Sequence, residues 1–213
     1  MALLFITLII SIGVITYYVN KNEKERSKKL RNVNITNQNK ISEYLKSKEI
    51  TESKKYISKD YSNAIILDER NNEILIITKK FKRKSDGTFE YSFNHYNFDR
   101  LIETELAIDN QIIHKSVRTN QLVGAAVGGA IFGSVGAIIG GLSGNKVEAQ
   151  NIKSIELKIS VEDIDYPIHK ISFLSSENNK NGYSKDSNEV KVALKNIEKW
   201  YGILEIIINQ QNK

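Results

Sequence analysis

The chain has 213 residues, of which 40% are apolar and 26% are charged, a composition typical of a globular domain with appendages. It contains no cysteine, which excludes a disulfide scaffold, a zinc-finger-type site, an iron–sulfur cluster and a cysteine nucleophile. The formal net charge of +6 suggests nucleic-acid binding, an interpretation that the position of the charges weakens.

The first element is a predicted membrane anchor. No charged residue interrupts residues 2–19, ALLFITLIISIGVITYYV. As a helix, this stretch of eighteen residues would span about 27 Å, just enough for the core of a bilayer. A cleaved signal peptide is the competing interpretation, but nothing basic precedes the run and YYVNKNE is a poor cleavage site. We therefore predict a transmembrane helix over residues 1–20.

A basic flank follows the apolar run. Its cations are Lys21, Lys24, Arg26, Lys28, Lys29 and Arg31. They supply most of the net charge, which therefore marks a membrane flank rather than a nucleic-acid surface. Positive charge stays on the cytoplasmic side, which predicts the N-terminus outside and everything after residue 20 inside. Residues 21–60 are interpreted as a juxtamembrane stalk, with a partly disordered linker as the alternative.

Strand-like patterns begin at Tyr61. Two apolar runs flank the turn Arg70-Asn71-Asn72 and predict a β-hairpin, and the later segments alternate apolar and polar residues as half-buried strands do. The predicted strands are residues 64–69, 73–78, 89–98, 101–109 and 111–117. Together they predict the first part of a β domain, over residues 61–117.

A basic loop lies between the second and third of these strands. It places five cations around Phe81: Lys79, Lys80, Lys82, Arg83 and Lys84. We predict that the loop contacts anionic lipid headgroups, at about 1 kcal/mol for each cation near the surface. A solvated loop without a ligand is the alternative. A nucleic-acid surface is not expected, because the loop offers no stacking platform beyond Phe81.

A glycine-rich segment then interrupts the β pattern, over residues 118–146. Residues 122–142 are uncharged for twenty-one positions, and small residues recur every four positions in two interleaved ladders. The ladder residues are Gly124, Ala125, Gly128, Gly129, Gly133, Gly136, Ala137, Gly140, Gly141 and Gly144. Glycine weakens soluble helices, whereas such ladders let helices pack closely in membranes. The pattern predicts a glycine zipper that self-associates or inserts into a membrane.

Three topologies are open for this segment. A single helix would span about 31 Å and place residues 61–117 and 150–213 on opposite sides of a membrane, which leaves neither part with an adequate core. A helical hairpin that turns near Gly133–Gly136 returns both ends to one side and is the favoured prediction. The third alternative is a buried, glycine-rich core hairpin without membrane contact.

Residues 147–213 are predicted to complete the β domain. Residues 151–163 and 167–175 have strand character, and a helix follows, capped by Asp186 with Glu189 as its capping-box partner. Its apolar face consists of Val190, Leu194, Ile197, Trp200, Tyr201, Leu204, Ile207 and Ile208. The order of elements predicts an α+β fold: an N-terminal transmembrane helix and a small antiparallel PH-like β-barrel with a C-terminal amphipathic helix, interrupted by a glycine-zipper helical hairpin.

One stretch resembles a known family, namely residues 116–146, SVRTNQLVGAAVGGAIFGSVGAIIGGLSGNK. The family comprises uncharacterised low-GC Gram-positive bacterial and prophage proteins in which a glycine zipper interrupts a β-rich domain. The most specific part is the lead-in Arg118-Thr119-Asn120 with the ladder, and the resemblance covers residues 60–213. A SHOCT tail, often present in that family, is not recognised here. The resemblance implies an architecture and no activity.

Groups for catalysis or metal binding are few. Glu103 and Glu105 point to the same face of a strand, as charges on a solvated sheet face do. Ser134 stands in Gly-Ser-Val-Gly rather than in a nucleophile elbow. Three single histidines lack metal-ligand spacing: His95, His114 and His169. We therefore predict no catalytic residue, no metal and no cofactor, and no enzymatic activity.

These features favour a non-enzymatic interaction module in the cell membrane, with one N-terminal anchor and the bulk of the chain facing the cytoplasm. The predicted partners are membrane lipids, further copies of the chain through the glycine zipper, and a protein of unknown identity. The alternative is a prophage-type membrane-perturbing or pore-forming protein whose zipper is the active element. Nucleic acid is not an expected partner.

Overall fold

The computed structural model describes residues 2–80, 84–118, 151–177 and 179–211, with side chains from residue 12 onward. Contacts divide the chain into two compact units, which we call the helical unit, Met1–Ile50 with Lys80–Glu90, and the sheet unit, Thr51–Lys79 with Tyr91–Lys213. The elements are α1 (Ala2–Ser47), β1 (Lys54–Ile57), β2 (Asn63–Asp68), β3 (Glu73–Lys79), β4 (Tyr91–Asn97), a 3₁₀ turn (Phe98–Arg100), β5 (Leu101–Ile108), β6 (Gln111–Val117), β7 (Ser154–Val161), β8 (Ile168–Ser175) and α2 (Asn188–Gln210).

The helical unit is built on α1. This helix runs for 46 residues, so that it continues well beyond the predicted anchor and through much of the predicted stalk. Within the described part of the chain, no helix contains a stretch long and apolar enough to cross a membrane. The predicted transmembrane anchor over residues 2–19 and its orientation are therefore without structural support.

Thr88 and Phe89 contact α1 through specific hydrogen bonds. The Lys40 ammonium donates to Thr88 Oγ1 at 3.0 Å and to the Phe89 carbonyl at 2.9 Å. The Phe89 amide donates to Asn37 Oδ1 at 3.0 Å. Because Phe89 is itself buried, this hydrogen bond to Asn37 satisfies a backbone N–H group that would otherwise be costly to bury. These contacts hold Thr88 and Phe89 on one face of the helix.

The sheet unit contains two four-stranded antiparallel sheets, in the orders β1-β2-β3-β4 and β6-β5-β7-β8. The predicted hairpin on either side of Asn71 is confirmed as β2 and β3. A two-residue turn, Asp109-Asn110, joins β5 to β6 with φ angles of 49° and 65°. Both angles are positive, as a type I′ turn requires, and Asp and Asn tolerate them better than most residues. The predicted strands are thus confirmed, and the sheet unit contains one additional strand, β1, which the sequence pattern missed.

The prediction of a single closed barrel is wrong. Among the described strands, every ladder lies within one of the two sheets. The 3₁₀ turn at Phe98–Arg100 separates β4 from β5, so that these consecutive strands end up in different sheets rather than in one continuous ladder. The α+β class and the antiparallel pairing are confirmed.

One apolar core joins both sheets to α2. All eight residues of the predicted helix face are buried, together with Ala193, which confirms the amphipathic pattern. The predicted cap is wrong by one residue, because Ser187 and not Asp186 lies at the N-cap. The Val190 amide donates to Ser187 Oγ at 3.3 Å, and Ser187 has extended backbone angles, as an N-cap residue requires.

Candidate functional site

The glycine ladders lie in residues 119–150, outside the residues that the structure describes. The ten predicted packing residues, from Gly124 to Gly144, all fall in this segment, as does the predicted helical hairpin. What the structure does describe is the pair of attachment points, at Arg118 and Asn151. They constrain how the segment is held.

The pairing of β5 with β7 excludes one of the three topologies considered for this segment. Strand β5 precedes the glycine-rich segment, strand β7 follows it, and the two form a continuous antiparallel ladder from Leu101 and Val161 to Ile108 and Ile155. Because one hydrogen-bonded sheet cannot lie on both sides of a bilayer, the alternative that places residues 61–117 and 150–213 on opposite sides is wrong.

The two attachment points lie at opposite ends of the second sheet. Strand β5 is central and pairs antiparallel with both β6 and β7, so that β6 and β7 run parallel to each other. The chain therefore leaves β6 at one end of the sheet and enters β7 at the other. The separation is the length of a strand of eight residues, about 25 Å at about 3.3 Å per residue.

Both attachment points are held by polar contacts. At the exit from β6, the Arg118 guanidinium donates to the Asp99 carbonyl and pairs with the Glu162 carboxylate. At the entry to β7, the amides of Lys153 and Ser154 both donate to Asp109 Oδ1 at 2.8 Å. The predicted lead-in residue Arg118 thus holds the end of β6 to the residues that flank β5 and β7.

The structure describes three of the five cations of the predicted lipid-contact loop, namely Lys79, Lys80 and Lys84. Lys82 and Arg83 lie outside the described residues. Lys79 belongs to the sheet unit and Lys80 and Lys84 to the helical unit. Lys79 Nζ lies 3.8 Å from a Glu177 carboxylate oxygen, and Lys84 Nζ lies 3.1 Å from one of Glu90. These acids partly compensate the charges of Lys79 and Lys84. The lipid contact of the loop stays a prediction.

The basic flank, by contrast, meets a second element. Its six cations all lie on α1 and are exposed. Two of them help to line a groove of about 410 Å³ between α1 and the turn at residues 84–88, which we call the α1 groove. Its lining residues are Glu25, Lys28, Lys29, Asn32, Val33, Thr36, Asp86 and Thr88. Sequence reasoning missed this groove, because its two sides lie some fifty residues apart in the chain.

The turn that forms the far side of the α1 groove is well defined. The Thr88 amide donates to Asp86 Oδ1 at 2.8 Å, and Gly87 adopts a φ of 87°, which glycine tolerates best. A Cβ atom at Gly87 would lie 3.4 Å from Val33 Cγ2. The hydrogen bond from Thr88 and the charges of Lys40 and Lys84 hold the pKa of Asp86 below its usual range, so that the turn carries a carboxylate at neutral pH.

Glu105 is not on a solvated face, contrary to prediction. Its side chain is only 6% exposed and lies between two lysines on neighbouring strands. Lys115 Nζ is 3.1 Å and Lys158 Nζ 2.5 Å from its carboxylate, and Glu103 pairs with the same Lys115 at 2.8 Å. Burial alone would raise the pKa of Glu105, but the hydrogen bonds from both lysines lower it below its usual range. This is a compensated structural network rather than an acid–base pair.

His169 lies in the core of the sheet unit. It is 5% exposed, and one ring nitrogen lies 2.9 Å from the Tyr96 hydroxyl, which in turn donates to Asp163 at 3.0 Å. Burial lowers the pKa of His169, although the Asp163 charge opposes this effect. In the described part of the chain, no group of three histidine or acidic side chains is placed to hold a metal ion.

Comparison with known proteins places these features in a family. A domain family described as "Glycine zipper containing PH domain" matches residues 54–175. The chain is 44% identical over 120 residues to the "Immunity protein" of Bacillus phage SPbeta, covering 54% of this chain and 58% of that protein. It is equally identical over 120 residues to "SPbeta prophage-derived uncharacterized membrane protein YomJ" of Bacillus subtilis strain 168, covering 54% and 51%.

The chain therefore matches only about half the length of these curated relatives. No solved structure matches it significantly. The matches confirm the resemblance to an uncharacterised prophage family with a glycine zipper and a PH-like domain.

Proposed function

Since the chain belongs to the family of glycine-zipper-containing PH domains, we propose that it is a membrane-associated, non-enzymatic interaction module. In this proposal the sheet unit is a scaffold that binds a lipid or protein partner and presents the glycine zipper. The zipper self-associates or inserts into the membrane. The observation that carries the proposal is the β5–β7 ladder, which joins the strands before and after the glycine-rich segment directly to each other. The sheet is therefore complete without that segment, which supports a separate role for it.

Membrane association is supported by the first part of α1. Large apolar side chains are exposed at nearly every position from Ile12 to Val19, with 48% to 63% of each side chain in contact with solvent. Such a helix gains free energy by burying this surface, and the basic flank that follows suits an anionic membrane surface. A relative is named a membrane protein. We propose that α1 anchors the chain, with the sheet unit facing the cytoplasm.

Self-association through the zipper is tested by replacing two ladder residues. The change Gly129→Leu with Gly133→Leu adds bulk to one ladder, because only small residues allow close helix contact. We expect cross-linked oligomers of the full chain in membranes to disappear. The control pair Val127→Leu with Ile131→Leu changes the same segment off the ladders and should leave the oligomers intact. Oligomers that survive the glycine changes would contradict the proposal, provided that the Trp200 fluorescence of the sheet unit is unchanged.

A second candidate function is supported by the relatives' names. One relative is an "Immunity protein" of a phage and the other a prophage-derived membrane protein, which favours a prophage protein that acts on or at the host membrane. In this candidate the zipper perturbs the membrane and the sheet unit regulates it. Expression in Bacillus with a potential-sensitive dye distinguishes the two. Depolarisation that the two glycine changes abolish supports the second candidate. An unchanged potential, with oligomers that the same glycine changes abolish, supports the first.

A further inference from the structure

A row of three cations lies on one face of α1. Lys24, Lys28 and Arg31 follow one another at spacings of four and three residues, so that they form one stripe along about 10 Å of the helix. All three are exposed, and among the described residues none of them forms an ion pair. Lys24 and Arg31 have no acidic residue three or four positions away, and like charges at this spacing destabilise a helix. We call this row the cationic stripe.

A row with the same spacing and the opposite charge lies on α2. Glu198, Gly202 and Glu205 again follow one another at four and three residues, and we call them the acidic stripe. Both carboxyl groups are partly buried, and this burial raises the pKa of Glu198 and that of Glu205. In the part of the chain that the structure describes, neither glutamate has an ion-pair partner. A cation supplied from outside the chain would therefore stabilise both charges.

Gly202, in the middle of the acidic stripe, is not required by the packing of its own chain. No described atom lies within 4 Å of a Cβ placed there, although a glycine inside a helix costs stability relative to alanine. The hydroxyl of the neighbouring Tyr201 is buried and has no hydrogen-bond partner among the described residues. A small residue lets a second helix approach closely, and a donor on that helix would come near the unpaired hydroxyl.

We propose that the cationic stripe of one copy of the chain docks on the acidic stripe of a second copy. When the two helices run in the same direction, the equal spacings bring the two outer cations opposite the two glutamates. Lys28 then lies over Gly202, where there is room for its side chain. Both halves of this contact are present in one chain, with matching spacing and opposite charge, which favours a second copy over an unrelated protein.

The contact joins two different surfaces, so that each copy keeps one stripe free for a further copy. It can therefore extend beyond a dimer, into a ring or a row. It uses none of the glycine ladders and is independent of the proposed zipper association.

Cysteine cross-linking of mixed copies tests the contact, because the native chain contains no cysteine. Lys28→Cys is introduced into the full chain with one affinity tag and Gly202→Cys into the full chain with another, and membranes that contain both are oxidised. We expect a disulfide-linked product that carries both tags. The matched control uses Lys29→Cys in place of Lys28→Cys, which removes the same charge but lies about 100° around the helix. It should give at least about tenfold less product, because a disulfide requires Cα atoms within about 7 Å.

Charge reversal in the same cross-linking pair tests the chemistry of the contact. Lys24→Glu with Arg31→Glu in one copy, or Glu198→Lys with Glu205→Lys in the other, should each lower the product about tenfold, because two attractive pairs become repulsive. Mixing the two reversed copies should restore it. The milder change Glu198→Gln with Glu205→Gln keeps the size of the side chains and should lower the product about threefold, because attraction is lost without repulsion.

The control for charge alone is Arg26→Glu with Lys29→Glu, which lies off the stripe and should leave the product unchanged. A loss in this control equal to that of the stripe variants would overturn the contact, as would a failure of the mixed reversals to recover while the Trp200 fluorescence is unchanged. If the stripe contacts the membrane instead, reversal of its cations would lower sedimentation with membranes and reversal of the glutamates would have no effect. That result would also overturn the contact.

The two kinds of association can fail separately. Oligomers that depend on Gly129 and Gly133, without a cross-link between the stripes, would overturn the contact and leave the proposed function standing. A cross-link between the stripes, with oligomers that survive Gly129→Leu with Gly133→Leu, would contradict the zipper association and support the contact.

Discussion

The Glu105 network offers the sharpest test of how the sheet unit is stabilised. The change Glu105→Gln keeps the size of the side chain and removes its charge. Lys158, at 2.5 Å, then loses its carboxylate partner, and Lys115, at 3.1 Å, keeps only Glu103. Hydrogen bonds to charged groups contribute about 1.5–3 kcal/mol each, and loosely held surface pairs much less. The two lysines are 30% and 45% exposed and can turn toward water. We therefore expect the free energy of unfolding to fall by about 2 kcal/mol.

The assay is urea unfolding of the full chain in detergent, followed by fluorescence. The chain has one tryptophan, and Trp200 is 3% exposed in the core of the sheet unit, so that its signal reports that unit. Lys170→Met is the control. Lys170 lies directly opposite Lys158 on the neighbouring strand, so that this change removes a like charge beside Lys158 and leaves Glu105 in place. It should change the free energy of unfolding by less than about 0.5 kcal/mol.

The pH dependence supplies a second criterion. The folded-state pKa of Glu105 is lowered, so that its stabilising effect is present above the unfolded pKa of about 4.3 and is lost as the pH falls through the lower folded value. The difference between wild type and Glu105→Gln should therefore shrink as the pH is lowered below that of the unfolded carboxyl group. An unchanged difference at low pH, or a control that costs as much as Glu105→Gln, would refute this reasoning.

Three other predictions concern the sheet unit. The pKa of His169 is lowered by burial, so that protonation opposes folding and stability should fall as the pH drops through the unfolded value of about 6.5; thermal unfolding between pH 7 and 5 should show this slope for wild type and not for His169→Gln. Gly182 has a φ of 72°, and a Cβ there would lie 2.9 Å from the Ile152 carbonyl, so that Gly182→Ala should destabilise by more than about 1 kcal/mol. Gly202 lies within α2 with no atom within 4 Å of a Cβ, and Gly202→Ala should instead stabilise by up to about 1 kcal/mol. Urea midpoints that move in the same direction for both glycine variants would contradict this pair of expectations.

The sequence predicted what is decided locally. The apolar face of α2 and the β2–β3 hairpin depend on the spacing of neighbouring residues, and both are confirmed. Strand β1, Lys54–Ile57, was missed because it is four residues long and half exposed, too short for a periodic signal. The barrel prediction failed because closure depends on ladders between distant strands, and no local pattern shows that a 3₁₀ turn will send β5 into a second sheet.

The candidate site was predictable only in its separate parts. The charges of Lys28 and Lys29 were visible in the sequence, but their partner in the α1 groove is the turn at Asp86, which the Lys40 contacts bring to the helix. Glu105 looked like a solvated charge for the same reason. Its environment is set by lysines on β6 and β7, and cross-strand register cannot be read from one strand alone.

The opposite placement of the two attachment points has a mechanical consequence. The chain leaves the sheet near one end of β5, at Arg118, and returns near the other end, at Asn151. A pull applied along the strand axis, outward at both attachment points, would act in opposite directions on β6 and β7. The ladders on both sides of β5 then bear the load together, in shear, whereas a segment attached at a single end would peel hydrogen bonds apart one after another. In the proposed self-association, tension on the segment would reach the sheet unit while its strands remain paired.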